Sequence, residues 1–155
     1  IQEVPSKHVV VNAINEPNTE KTIRSAFEFS FLMNIPNVTL VGEISQSKVS
    51  MTADDDESLK KITEIKEGIE TEEKNRYDDI LLNIPESLKK NKKIQSQSIF
   101  GARGYSIGHY ARVVRADLLV LNSEENRSSF LSRIFPKDLE HILSELPTDV
   151  LIIKN

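Results

Sequence analysis

Gly101-Ala102-Arg103-Gly104 closes a strand-like segment, residues 94–100, and opens a helical stretch over 105–115. The buried-looking run Leu118-Leu119-Val120-Leu121 follows, then an irregular polar stretch, a predicted helix over 137–146, and Asp149-Val150-Leu151-Ile152-Ile153. Strands separated by single helices cannot pair as hairpins, so they line up in parallel with the helices packed outside. Every strand then ends on one edge of the sheet, where open α/β sheets bind small ligands.

The first half of the chain has the same rhythm. Residues 8–14 read as a strand whose valines run without alternation, as expected when both faces are covered. Asn15-Glu16-Pro17-Asn18-Thr19 supplies turn and capping chemistry for a helix ending near Met33, where Asn34-Ile35-Pro36-Asn37 stops it. Residues 38–41 are the second predicted strand, with Gly42 at the turn that ends it. Residues 45–56 read as a polar loop. From 57 to about 91 the pattern is helical, with one apolar stripe on Leu59, Ile62, Ile65 and Ile69 and another on Tyr77, Ile80, Leu81, Ile84 and Leu88. The polar stretch 70–76 is expected to be either an exposed turn of one long helix or a break into two, and Pro85 a kink or restart.

A chain of 155 residues fits one domain, 1–155; because it begins at Ile1, it is expected to be either whole or a segment of a longer protein. The absence of cysteine excludes disulfides, thiol nucleophiles and thiolate metal sites, and suits a cytoplasmic setting. His8, His109 and His141 form no metal-binding spacing, so no metal is expected. A net charge of -4 argues against nucleic-acid binding. Lys89-Lys90-Asn91-Lys92-Lys93 and Asp54-Asp55-Asp56-Glu57 are read as solvated helix ends. No stretch approaches the ~20 apolar residues that span a bilayer, so no membrane insertion is expected of this segment.

Several strings, in this order and spacing, resemble the universal stress protein family along nearly the whole chain. They are Val9-Val10-Val11 followed by Glu20-Lys21, then Gly101 after the third strand. Ala116-Asp117-Leu118-Leu119-Val120-Leu121 and Pro147-Thr148-Asp149-Val150-Leu151-Ile152-Ile153 complete the set. The resemblance implies a single open, doubly wound parallel five-stranded sheet in the order 3-2-1-4-5, helices on both faces, and commonly a homodimer. Many members bind ATP through G-x-x-G, nine residues, then G-S or G-T, after the fourth strand. Glycines let backbone N–H groups approach phosphate oxygens, and a helix N-terminus adds favourable potential.

The corresponding positions here are Asn122, Glu125, Pro136 and Lys137. Glu125 sets a negative charge where phosphate would sit, and Pro136 removes an amide donor. Ile14 and Asn15 stand where the family has its adenine-side aspartate. ATP binding in the family's usual way is therefore not expected, and no cofactor is assigned. Arg103, Arg127, Ser128, Ser129, Arg133 and Lys137 remain compatible with phosphate. Asn15, Gly101, Arg103, Asn122, Ser123 and Lys137 then outline a degenerate nucleotide cleft.

Gly101-x-x-Gly104 lacks a full phosphate-loop pattern and reads as a left-handed turn at Gly101 with close packing at Gly104 or Gly108. His109 and Arg112 lie one turn apart without a carboxylate or nucleophile beside them, and no G-x-S-x-G elbow occurs, so catalysis is not expected. Val150, Leu151, Ile152 and Ile153 form an apolar edge strand, a liability unless paired. Pairing across a two-fold axis predicts a homodimer. The expected function is a stress-response or regulatory module acting through dimerisation and partner contact, without ATP hydrolysis. The alternatives are a switch that binds an adenine nucleotide through residues 122–137, or a cytoplasmic regulatory domain of a membrane transporter.

Overall fold

The computed structural model describes residues 7–45, 56–101, 105–123 and 149–154. In chain order the elements are β1 (His8–Asn12), α1 (Thr19–Leu32), β2 (Asn37–Ile44), α2 (Asp56–Leu82) and α3 (Glu86–Lys89). They continue with β3 (Lys93–Phe100), α4 (Tyr105–Val113), β4 (Leu118–Ser123) and β5 (Asp149–Lys154). All strand pairings are parallel, and the strands lie in the order β3-β2-β1-β4-β5. The α/β class and the parallel crossovers expected from the sequence are present. The helix predicted over 137–146 and the loop residues 46–55 lie outside the described residues.

Two apolar layers explain the unbroken valines of β1. Val9 and Val11 face a cluster built with Ile23, Ala26 and Phe27 of α1, whereas Val10 faces Ile107 and Ala111 of α4. Successive strand side chains point to opposite faces, so a strand covered on both sides must be apolar throughout. Helix α1 buries Ile23, Ala26, Phe27 and Ser30, one stripe at helical spacing. It ends where Asn34 turns left-handed at φ 55°, with the Ile35 N–H donating to the Ser30 carbonyl and the Asn34 N–H to that of Phe31. This closure satisfies carbonyls that a helix end otherwise leaves open.

Several sequence expectations need correction. Strand β1 stops at Asn12 rather than residue 14, because the Asn12 Oδ1 accepts the Ile14 N–H at 3.0 Å and bends the chain. Strand β2 runs on to Ile44, so Gly42 lies inside it and not in a turn. What Gly42 provides is space for the Tyr77 phenol and the Glu73 carboxylate lying against it. Of the two alternatives for 70–76 the structure has the one long helix, α2, in which Glu73 and Arg76 engage each other, and Pro85 does restart the chain, as α3. Gly101 is not left-handed either. A Cβ there would crowd the Ser106 side chain, while the left-handed non-glycine residues among those described are Asn34, Asn91 and Arg115.

At the start of β1, the His8 ring bonds Thr39 Oγ1 at 2.7 Å through Nε2. Burial pushes its pKa below the ordinary 6.5, against an opposing pull from Asp117. The folded state thus disfavours protonation, and the unfolded chain binds the extra proton first. His8 therefore contributes stability that is full above 6.5 and lost as the pH falls through the lowered folded value. Thermal unfolding of His8→Gln is expected to lose less stability than wild type between about pH 7 and pH 5.

Candidate functional site

The strand C-termini define the edge at which a ligand would sit. The strand order reverses between β1 and β4, so the crevice between their ends is the switch point of this sheet. The Ala13 N–H continues the ladder by donating to the Val41 carbonyl at 2.8 Å. Extending the β1–β4 register by two residues places Ala13 beside Asn122. Asn122 shares the face of Leu118 and Val120, the side covered by α1. Asn122 is 3% exposed, and neither amide atom has a hydrogen-bond partner among the described residues. A buried amide left this way costs about 1–3 kcal/mol and calls for an explanation such as a ligand.

Helix α2 brings a second group to the same crevice. Arg76 donates through Nη2 to the Ala13 carbonyl at 2.5 Å, and through Nε and Nη2 to the two oxygens of Glu73 at 3.0 and 2.6 Å. Glu73 Oε2 also accepts the Tyr77 hydroxyl at 2.7 Å, and that hydroxyl lies 3.1 Å from Ser98 Oγ. The guanidinium stacks 5.0 Å from the Tyr77 ring centre. Burial is the main cause that raises the Tyr77 pKa; Ser98 opposes it, the Glu73 bond and charge add to it, and the Arg76 charge opposes it. The phenol therefore stays protonated and serves as a fixed donor. A cleft of about 380 Å³ opens beside it, lined by Glu70, Lys74, Tyr77, Ser96, Gln97 and Ser98.

A third group closes the neighbouring helix end. Glu43, buried near the end of β2, accepts the Ile107 N–H in the first turn of α4 at 3.1 Å through Oε2. Open N–H groups at a helix start attract anions. Here the chain's own carboxylate occupies that place.

The residues singled out from the sequence do not all converge. Asn122 and Ser123 end β4, and Asn15 is exposed in the turn after β1. Gly101 follows β3, three strand positions from Asn122, roughly 14 Å at ordinary strand spacing. It belongs with Ser106 and α4 rather than with the crevice. Arg103 and Lys137 lie outside the described residues. Val150, Leu151, Ile152 and Ile153 all fall in β5, and Leu151 and Ile153 pack against the chain's own core on the α1 side. Sequence reading missed Glu43, Glu73 and Arg76. Glu43 alone gave a signal, as an acid embedded in Val38-Thr39-Leu40-Val41-Gly42-Glu43-Ile44. Among the described residues, no three His, Asp or Glu side chains gather as a metal site.

A doubly wound parallel sheet with its crevice between β1 and β4 is an open α/β architecture, in which ligands bind beyond the strand C-termini. No family model matches the chain, and no curated protein sequence does. Solved structures do. Universal stress protein UspA from Lactobacillus plantarum superposes with a TM-score of 0.59 at 13% identity, over 97% of this chain and 99% of that one. A universal stress protein in complex with cAMP gives 0.52 at 21% identity, over 95% and 96%. The universal stress protein from Archaeoglobus fulgidus in complex with dAMP gives 0.50 at 15%, over 98% and 100%. The fold of this chain is that of the universal stress proteins.

Proposed function

We propose that this chain is a regulatory module of the universal stress type, acting by pairing with a second copy and by partner contact, without hydrolysing ATP. The observation that carries this reading is β5. It pairs with β4 on one side, and its other side is the outer edge of the sheet. Between Asp149 and Lys154 that strand carries the unbroken apolar run Val150-Leu151-Ile152-Ile153, where exposed edges are normally charged or broken. The other edge, β3, is blunted by Lys93, Gln95 and Gln97, all exposed. Two copies meeting at β5 would complete each other's backbone hydrogen bonds. Glu43 on the α4 N-terminus, with Glu125 and Pro136 in the segment that follows β4, supports the absence of triphosphate chemistry. Light scattering after size exclusion is expected to give a dimer mass at micromolar concentration. A monomer mass there overturns the reading.

One observation favours a second reading. The unpartnered Asn122 amide lies in the crevice where the sheet type binds ligands, and two similar structures hold cAMP and dAMP. An amide offers both a donor and an acceptor, which suits the edge of an adenine ring. In this reading the chain is a switch that responds to an adenine nucleotide.

A further inference from the structure

At the opposite edge of the sheet, α1 ends in Phe31, Leu32 and Met33, which are 53%, 74% and 51% exposed. Consecutive residues on a helix point about 100° apart. A groove-shaped partner covers one face of such an end, whereas an apolar medium entered by the helix tip covers all three side chains together. The backbone at the tip is already prepared for that. The carbonyls of Phe29, Ser30 and Phe31 accept the N–H groups of Met33, Ile35 and Asn34, and Lys92 Nζ donates to the Ile35 carbonyl at 2.8 Å. Entry therefore does not desolvate those four carbonyls unpaired.

Cations surround this tip. Phe31, Asn34, Ser87, Lys90 and Lys92 line one recess of about 260 Å³. The Lys93 N–H donates to the Pro36 carbonyl, and Lys90 and Lys93 are both exposed. Lys7 and Arg115 lie at the same sheet edge, as do the acids Asp78, Asp79, Glu86 and Asp117. Glu86 is paired with Lys89, and Asp117 accepts the His8 N–H. The chain is acidic overall, yet Lys90, Lys92 and Lys93 lie close to three exposed apolar side chains.

We infer that this edge docks on an anionic membrane surface, with Phe31, Leu32 and Met33 entering the headgroup boundary and Lys90, Lys92 and Lys93 meeting lipid phosphates. No helix among the described residues is long and apolar enough to cross a membrane, and a shallow contact of this kind needs none. Sedimentation of the intact chain with phosphatidylcholine vesicles containing about one-third phosphatidylserine tests it. Binding is expected to these vesicles and not to pure phosphatidylcholine, with release at high salt. Leu32→Asp is expected to weaken it about tenfold or more. Lys90→Glu with Lys93→Glu is expected to weaken it roughly a hundredfold or more. All three positions are exposed, so circular dichroism and melting should be unchanged and a loss of binding cannot be a loss of fold. The inference fails if no vesicle binds, if phosphatidylserine makes no difference, or if Leu32→Asp binds as well as wild type. Retention on immobilised polyglutamate without vesicle binding also overturns it, and assigns the edge to an acidic protein.

Discussion

Gly42→Ala is expected to destabilise the fold by about 2–3 kcal/mol, a large loss for one methyl group. Its Cβ would lie 2.7 Å from Glu73 Oε2 and 2.9 Å from Tyr77 Cζ, and nearer still to the Tyr77 hydroxyl. The phenol has little room to retreat. It is 1% exposed, held between Glu73 and Ser98, and packed into the cluster that includes Phe27, Leu40 and Ile84. Moving it would also disturb Glu73, and with it the Arg76 contact to Ala13 at the crevice. Tyr77→Phe alone should cost about 1 kcal/mol through the lost hydroxyl bonds. In the double variant the new methyl no longer meets the phenol oxygen, its nearest neighbour, so the combined cost is expected to be less than the sum. Urea unfolding of the four proteins in a double-mutant cycle measures this. Strict additivity would show that Gly42 is not held small by the phenol.

The second large effect is expected at Asn122. Replacing it with leucine, of similar size, removes a buried amide whose nitrogen and oxygen both lack partners, and should raise stability by about 1–3 kcal/mol. A loss of stability would mean that the amide is bonded in solution. The same variant separates the two functional readings. Under the nucleotide reading, calorimetry detects cAMP or AMP binding to wild type and at least a tenfold loss in Asn122→Leu. Under the dimer-module reading, neither protein binds and both remain dimeric.

The framework of the fold was legible because buried strands advertise themselves. Val9-Val10-Val11 and Leu118-Leu119-Val120-Leu121 are apolar on both faces, and single helices between strands leave only parallel pairing. The misread boundaries share a different physics. Gly42 is a strand residue because a tyrosine 35 positions later in the chain needs its space, and no local pattern carries that. The polar run before Tyr77 left one helix or two open in sequence, and it continues as one where Arg76 bonds Glu73 and reaches Ala13. Asn122 was legible as a departure from a glycine loop, but its isolation was not, since a missing partner is a property of three-dimensional surroundings. The run Phe31-Leu32-Met33 at the end of α1 is apolar in the sequence itself. Its exposure followed only from seeing that Ile23, Ala26, Phe27 and Ser30 take the buried side.

Residue-resolved hydrogen exchange along β5, on the intact chain at concentrations above and below dimer dissociation, tests the proposed mode of action most directly. In a parallel edge strand alternate amides point away from the sheet. If two copies join through this edge, the outward amides of Asp149–Lys154 are expected to exchange slowly at micromolar concentration and quickly on dilution. Fast exchange of those amides at every concentration, in a protein that is otherwise folded, would contradict pairing through β5.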